Sequence, residues 1–250
     1  MSTPTSAITA EGISKSFEVG DQRVPVLKNI SFTVKQGEFL VIFGPSGCGK
    51  STLLHVLLGL EFPTKGSVQI HNKNIYGMNE DELADFRKHE IGMVYQQPHW
   101  VKALNVLENV AFPLTLMRVE KEQRLQQALE LLRMVDMEDW AHYLPSELSS
   151  GQQQRVALAR AIISNPDLIV ADEPTGNLDY EAGLQLMSLL ENINKKTGKT
   201  VIMVTHDLEY MPYATRALEM LDGEVIKEVT NTNAYAQNGN IPLKRGNGKH

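Results

Sequence analysis

The sequence predicts an α/β fold in which strands and helices alternate around a mostly parallel β-sheet. Three observations support this: strand-length runs that are almost wholly apolar, helical spacing of apolar residues in segments between them, and a glycine-rich turn leading from one run into a helix. The runs occupy residues 39–43, 91–95, 168–171 and 201–204. Continuously apolar strands are typical of a sheet that is covered on both faces.

The composition is that of a globular chain with its own core. Of 250 residues, 42% are hydrophobic and 22% charged, and a chain of this length buries roughly 70–75% of its unfolded surface. Cys48 is the only cysteine, which excludes a disulfide scaffold and fits a reducing compartment. No run approaches the ~18–20 apolar residues that cross a bilayer, and a net charge of −6 gives no general attraction to nucleic acid. We therefore expect a soluble intracellular protein.

The elements of the first half follow in chain order. Residues 1–7 are rich in Ser, Thr and Pro and are expected to be flexible. Ile30, Phe32 and Val34 alternate with polar residues, which predicts a half-exposed strand. The glycine-rich turn is followed by a predicted helix over 52–60.

Capping and spacing signals mark the helices further along the chain. Asn79 and Glu82 form a capping-box pattern that opens a predicted helix through His89. Apolar residues at helical spacing predict another helix from about Lys121: Leu125, Ala128, Leu129, Leu132 and Val135. Because the stretch 97–165 is nearly all helical in pattern, we interpret it as a helical lobe inserted into the α/β core.

The last predicted elements are a helix over 181–196 that ends at Gly198 and a hairpin that turns at Asp222-Gly223. The segment 230–250 is rich in asparagine and glycine, so a mobile tail is expected there. The chain is thus predicted to be one globular domain over 8–229 with flexible ends.

The glycine-rich turn is the strongest chemical signal. Residues 44–51 match the phosphate-loop pattern G-x-x-x-x-G-K-[ST]. The glycines let backbone N–H groups surround a polyphosphate, Lys50 supplies charge for the terminal phosphates, and the Ser51 hydroxyl is a ligand for Mg²⁺. The nucleotide contacts are assigned to Gly44, Pro45, Ser46, Gly47, Cys48, Gly49, Lys50, Ser51 and Thr52. A turn that merely packs strand against helix is the alternative.

Two adjacent carboxylates form the second signal. Asp172 and Glu173 follow the buried run 168–171 and emerge at the carboxyl end of a parallel strand, where such sheets bind ligands. Asp172 can hold Mg²⁺, directly or through water, and Glu173 is suited to orient or deprotonate a water. A solvated acidic turn is the alternative. Together, the loop and the carboxylates predict a P-loop nucleoside triphosphatase.

Four further motifs, in this order, make the sequence resemble the ATP-binding cassette (ABC) family over residues 8–229. They are Gln96, Leu148-Ser149-Ser150-Gly151-Gln152, Gly176-Asn177-Leu178-Asp179 and His206. The resemblance implies a RecA-like P-loop core with an N-terminal antiparallel β part and an inserted helical lobe. It also implies an ATPase with ATP and Mg²⁺ as its cofactors.

In that family the segment matched by 148–152 faces the ATP held by the opposite subunit. The resemblance therefore implies that ATP joins two copies of this chain through Ser149, Ser150, Gly151 and Gln152. Ser150 departs from the usual glycine and would be strained if the position required a positive φ. For Ser149, an ordinary N-cap of the following helix, predicted over 153–163, is the alternative.

The resemblance also assigns a glutamine at the metal. Gln96, rather than its neighbour Gln97, matches the family residue that senses Mg²⁺ and the attacking water, because Gln96 directly follows a strand. The implied metal site is then Ser51, Gln96 and Asp172. A surface glutamine is the alternative.

Three more residues complete the implied site. His206 is implied to contact the γ-phosphate and to support the chemistry of Glu173, with a purely structural role as the alternative. Asp179 either communicates across the dimer interface or only caps the helix that follows it. Phe17 either stacks on adenine or belongs to the core.

The stretch 172–179 resembles the subgroup that includes macrolide-export, lipoprotein-release and cell-division ATPases. It implies an export-type ATPase subunit that powers a membrane transporter or mechanotransmission complex from the cytoplasmic face of the membrane. The implied partners are a permease with an extracytoplasmic domain and a second copy of the chain. A soluble ABC ATPase acting on nucleic acid or ribosomes is the alternative. Docking is expected in the groove between the core and the helical lobe, near 98–104, where Trp100 either grips a partner helix or caps the lobe's own core.

Overall fold

Two β-sheets organise the chain, and the structure, a computed structural model, describes residues 6–230 and 232. The first sheet is antiparallel and contains β1 Ser6–Val19, β2 Gln22–Lys35, β4 Lys65–Ile70 and β5 Lys73–Asn74. The second contains β3 Phe39–Phe43, β6 Ile91–Tyr95, β7 Leu168–Asp172, β8 Thr200–Thr205, β9 Arg216–Leu221 and β10 Glu224–Val229. Its order is β10-β9-β3-β8-β7-β6, and only the β9–β10 pair in it is antiparallel. The predicted α/β fold with an antiparallel N-terminal part is confirmed.

The register of the parallel strands brings their carboxyl ends to one edge. Phe43 pairs with Thr205, and Asp172 pairs with both Val204 and Tyr95. All residues of β3 and β8 are buried, because apolar clusters cover both faces of the sheet. The residues that directly follow these strands therefore emerge together.

The described residues form six α-helices: α1 Lys50–Leu57, α2 Glu80–Glu90, α3 Val106–Leu116, α4 Lys121–Met134, α5 Ser150–Ile162 and α6 Tyr180–Thr197. Three of them, α3 to α5, lie in the stretch predicted to be helical and enclose an apolar cluster that includes Val110, Leu132 and Val156. None of the helices in the described ranges is both long and apolar enough to cross a membrane.

Local signals set several boundaries as predicted. Asn79 and Glu82 make both bonds of the capping box at the start of α2. Gly198, at φ 69°, ends α6 in the left-handed conformation that glycine adopts freely. Asp222 and Gly223, at φ 48° and 83°, form the tight turn between β9 and β10.

Two helix boundaries differ from prediction. α1 is Lys50–Leu57 rather than 52–60, because Gly59 at φ 65° leaves the helical conformation soon after its end. α5 begins at Ser150 rather than 153, because Ser149 already caps it.

The chain ends also differ from the predicted flexible segments where the structure describes them. β1 begins at Ser6, inside the segment 1–7, and Ala7 is fully buried. Thr232 is buried and its Oγ1 donates a hydrogen bond to the carbonyl of Ala214 at 2.7 Å, so the segment expected to be mobile from 230 is anchored at that residue. The rest of both predictions, at 1–5, 231 and 233–250, lies outside the described residues.

Candidate nucleotide site

The turn between β3 and α1 leaves space for a phosphate group. At Gly49, which has φ 103°, a Cβ would lie 3.0 Å from the carbonyl oxygen of Val26, and at Gly44 it would lie 2.2 Å from that of Met220. Both positions therefore require glycine. The turn borders a cavity of about 200 Å³ lined by Val26, Ser46, Gly47, Gly49, Lys50, Ser51, Thr52 and Glu173. The predicted loop residues and one predicted carboxylate thus meet around one cavity.

Lys50 is buried at the centre of this loop. Its Nζ donates hydrogen bonds to the carbonyls of Gly44 and Pro45, both at 2.9 Å, and lies 3.9 Å from Oε1 of Glu173. Phosphate oxygens form stronger charge-assisted hydrogen bonds with an ammonium group than neutral carbonyls do. Lys50 is therefore placed to exchange these carbonyls for a phosphate.

Ser51 and Asp172 present two oxygen ligands side by side. The Ser51 hydroxyl donates to Oδ1 of Asp172 at 3.1 Å. Burial raises the pKa of the Asp172 carboxyl, and the hydrogen bond from Ser51 opposes this shift. Neighbouring oxygens in an octahedron with bonds of 2.0–2.1 Å are about 3 Å apart. The residues present therefore fit Mg²⁺, which would also keep the carboxyl ionised.

Glu173 lies between Lys50 and His206. Its Oε2 is 3.2 Å from Nδ1 of His206, the residue that directly follows β8. Its main-chain N–H donates to the carbonyl of Val204 at 2.9 Å, and its φ of 46° is uncommon outside glycine. Strained backbone held by neighbouring bonds is typical of functional sites.

Gln96 reaches the segment that follows Glu173. A Cβ built on Gly176 would lie 2.6 Å from Nε2 of Gln96, so these residues are in close contact. Gln97 is exposed. Asp179 accepts a hydrogen bond from the N–H of Ala182 at 2.8 Å and caps α6.

The segment 148–152 leads into α5 and does not line the cavity beside the phosphate loop. Ser149 caps the helix: its Oγ accepts from the N–H of Gln152 at 3.3 Å, and the Gln152 side chain accepts from the N–H of Ser149 at 2.9 Å. Ser150 is exposed and is absent from the positive-φ residues of the described chain, so serine is not strained there. A Cβ on Gly151 would lie 3.0 Å from that of Ala182, so the segment packs beside α6.

Phe17 and Cys48 occupy opposite environments. Phe17 on β1 is 37% exposed, and the Nζ of Lys15 lies 4.8 Å from its ring centroid, so the core alternative is wrong. Cys48 is buried in the apolar cluster below the loop, where it fills space.

Sequence reasoning missed Gln154. This residue of α5 is 2% exposed, and its Nε2 donates to the carbonyls of Tyr95 at 3.0 Å and Gln96 at 2.7 Å. It links the helix that starts with 148–152 to the turn that carries Gln96. The sequence signal that could have identified Gln154 is a polar residue on the otherwise apolar face of α5. Its hydrogen-bond partners could not be found in the same way, because they are remote in sequence.

Trp100 also makes polar and cation–π contacts with residues of its own chain. Its Nε1 donates to Oε1 of Gln153 at 2.9 Å, and the guanidinium of Arg160 lies 4.5 Å from its ring centroid. The ring packs against the apolar clusters of both the lobe and the sheet. Of the two predicted roles, these contacts favour the one in which Trp100 caps the lobe's own core.

A phosphate loop, a buried lysine, a hydroxyl–carboxylate pair and a further carboxylate, all at the carboxyl edge of a parallel sheet, define a P-loop nucleoside triphosphatase. A family model described as ABC transporter matches residues 27–176. The chain belongs to this family.

Similar proteins agree with this assignment. An uncharacterized ABC transporter ATP-binding protein of Methanocaldococcus jannaschii is 46% identical over 220 residues, which cover 88% of this chain and 98% of the relative. The macrolide export ATP-binding/permease protein MacB of Escherichia coli is 41% identical over 221 residues, covering 88% of this chain and 34% of that protein.

One similar solved structure is a dimer. The dimeric post-hydrolysis state of the M. jannaschii ATP-binding cassette MJ0796, bound to ADP and Pi, superposes with a TM-score of 0.84 at 40% identity. The match covers 89% of this chain and 98% of that one. The predicted ATPase of an ABC transporter system, with its macrolide-export resemblance, is thereby confirmed.

Proposed function

We propose that two copies of this chain hold ATP and Mg²⁺ between them and hydrolyse ATP to drive a membrane-embedded permease. The observation that carries the proposal is the meeting of Lys50, the Ser51–Asp172 pair and the Glu173–His206 pair at one edge of the sheet. The globular domain is taken as 8–229, with a helical lobe at about 97–165.

The loop residues 44–52 bind the phosphates through their N–H groups and Lys50. Ser51, Asp172 and Gln96 would hold Mg²⁺, which would supply positive charge to offset that of the nucleotide phosphates. Gln96 is suited to this because its amide already lies against Gly176, close to Glu173 along the chain.

Glu173 takes the proton from the attacking water. Its carboxylate lies beside Lys50 on one side and His206 on the other, which restricts its rotation. Because Nδ1 of His206 faces Glu173, the ring is held in one orientation, and its other nitrogen is proposed to contact the γ-phosphate.

The second copy completes the site. Ser149, Ser150, Gly151 and Gln152 are at a helix start whose N–H groups and dipole favour an anion. Asp179 and Phe17 are exposed, which suits an interface residue and an adenine-stacking ring respectively. The dimeric relative with ADP and Pi supports this arrangement.

A groove between the sheet and the helical lobe is proposed as the permease contact. It has a volume of about 530 Å³ and its lining includes Leu60, Met93, Phe112, Leu116, Arg87 and Arg160. Leu60 and Leu116 are 47% and 58% exposed, and large exposed apolar groups grouped in a groove are typical of binding surfaces. The proposed occupant is a short helix of an export-type permease with an extracytoplasmic domain. Such a partner would hold the chain at the cytoplasmic membrane face.

The Glu173→Gln variant tests the two-copy mechanism. We expect it to bind ATP, to accumulate as a dimer measured by light scattering, and to lose roughly 10²–10⁴-fold in hydrolysis because the general base is gone. Glu181→Gln, at an exposed glutamate of α6, is the control. A variant that stays monomeric at saturating ATP and Mg²⁺ would contradict the mechanism.

The groove has a separate test. Leu116→Asp is expected to abolish co-purification with the permease, whereas Met134→Asp, at an exposed apolar residue of α4 outside the groove, is not. Equal co-purification of both variants would exclude the groove as the contact.

A further inference from the structure

A second group of ligand-type side chains lies at the other end of the strands that carry Gln96 and Asp172. β6 and β7 begin at residues 91 and 168, which are paired in register. The residues just before them, Glu90 and Asp167, are therefore held close together at the amino edge of the sheet. His71, in the turn between β4 and β5, completes the group.

The three side chains are close enough to share one ion. A ring nitrogen of His71 and carboxylate oxygens of Glu90 and Asp167 all lie within 4.8 Å of one another. Ligand atoms around a tetrahedral metal with bonds of about 2.0–2.2 Å are about 3.3–3.6 Å apart. Side-chain rotations that shorten the separations by up to about 1.5 Å would bring all three onto one centre.

One ring nitrogen of the group has no partner, and the two carboxylates make no direct ion pair in the described residues. Nε2 of His71 is enclosed and has no hydrogen-bond partner, which is unfavourable for a buried polar atom. In the described part of the chain, neither Glu90 nor Asp167 forms an ion pair. The ammonium of Lys199 attracts the Asp167 carboxylate, but it donates its hydrogen bond to the carbonyl of Pro166 at 2.5 Å. Two neighbouring carboxylates repel each other unless a cation lies between them.

We propose that His71, Glu90 and Asp167 bind one divalent transition-metal ion, with Zn²⁺ as the physiological ligand. One imidazole nitrogen and two carboxylate oxygens suit Zn²⁺, whereas Mg²⁺ and Ca²⁺ prefer oxygen alone. Three protein ligands leave a fourth position for water, and the exposure of Asp167 leaves that side open. This site is separate from the nucleotide site and does not depend on the proposed function.

The bound ion would join three parts of the fold. His71 lies in a turn that joins two strands of the antiparallel sheet, Glu90 ends α2, and Asp167 precedes β7 in the central sheet. Because only the folded chain brings them together, binding stabilises the fold. At an ion concentration of 100 Kd the melting temperature is expected to rise by about 5–10 °C.

Calorimetric titration of the untagged full chain with Zn²⁺, in millimolar Mg²⁺ to fill sites made only of oxygen, tests the proposal. We expect one Zn²⁺ per chain and an affinity loss of at least about 10–100-fold in His71→Asn and in Asp167→Ala. Asparagine tolerates the φ of 49° at position 71, and Asp167 is exposed, so both variants keep the fold. His142→Asn, at an exposed histidine of the helical region, is the control.

Visible absorption spectra of the chain with Co²⁺ in place of Zn²⁺ report directly on the side chains that bind the ion. Its visible absorption bands should appear with the parent chain and the control and be lost in both ligand variants. Metal-free melting temperatures, measured in parallel, separate loss of a ligand from loss of the fold. Failure of the parent to bind Zn²⁺, or equal affinity in parent and both ligand variants, would overturn the proposal.

Discussion

The phosphate-loop edge and the start of α5 differ in how far a single chain completes them. At the edge, Lys50, Asp172 and Glu173 already make contacts with the loop or with His206. At the start of α5, Ser149 and Ser150 are exposed, and the hydroxyl of Ser149 is occupied in capping its own helix. Folding therefore assembles one half of the proposed site within one chain, while the other half is exposed and, in the proposed dimer, faces the nucleotide of the second copy.

The largest effect should come from placing a charge at the exposed half. Ser149→Asp keeps a good N-cap but sets a carboxylate against the phosphates of the second copy, a like-charge contact that costs several kcal/mol. We expect ATP-induced dimerisation, measured by light scattering in the Glu173→Gln background, to weaken by roughly 10²–10³-fold. Ser149→Asn is the neutral control. Dimerisation of Ser149→Asp at the parental ATP concentration would remove α5 from the interface.

The second-largest effect should be on ATP binding at the phosphate loop, the half of the proposed site that one chain completes. Lys50→Ala removes a buried charge from the loop and should weaken ATP binding by about 10–100-fold, the range for charge-assisted hydrogen bonds. Titration with a fluorescent nucleotide measures this at protein concentrations too low for dimers. Lys121→Ala, at the exposed start of α4, should bind as the parent does. Parental affinity in Lys50→Ala would contradict the role of the loop.

A third variant tests the connection between the two halves. Gln154→Leu leaves the carbonyls of Tyr95 and Gln96 without their donor, which should lower the free energy of unfolding by about 1–3 kcal/mol. ATP hydrolysis should slow while single-chain nucleotide binding remains, because only the Gln96 turn is displaced. Urea unfolding and steady-state ATPase assays measure the two effects, with the exposed Gln126→Leu as control. Unchanged stability would show that the link is unimportant.

The smallest effect is expected for restoring the family's usual residue. Ser150→Gly relieves no strain, since position 150 lacks a positive φ, and glycine near a helix start lowers stability by at most about 0.5–1 kcal/mol. ATP-dependent dimerisation should therefore match that of the parent. A clear gain in dimerisation would mean that Ser150 obstructs the interface.

Much of the fold was predictable because its signals are local. The four apolar runs form β3, β6, β7 and β8. The capping box at Asn79 fixes the start of α2 and Gly198 fixes the end of α6, and each acts on the residues next to it in the chain. The start of α5 was misplaced by three residues, since capping by Ser149 extends the helix beyond its apolar pattern.

The nucleotide motifs were predictable for a related reason. Residues 44–51 follow β3 directly, and the pair Asp172-Glu173 stands at the end of β7, so their chemistry can be read along the chain. The environments of Phe17 and Trp100 could not be predicted from the sequence, because the burial of each side chain depends on which distant elements pack against it.

By itself, the sequence determined the strands, the caps and the identity of the phosphate loop, because these depend on residues a few positions apart. Only the tertiary structure decided that Gln154 supports the turn at Gln96 and that His71, Glu90 and Asp167 converge. These contacts depend on strand register and helix packing, which join residues separated by tens of positions and leave no periodic trace in the sequence.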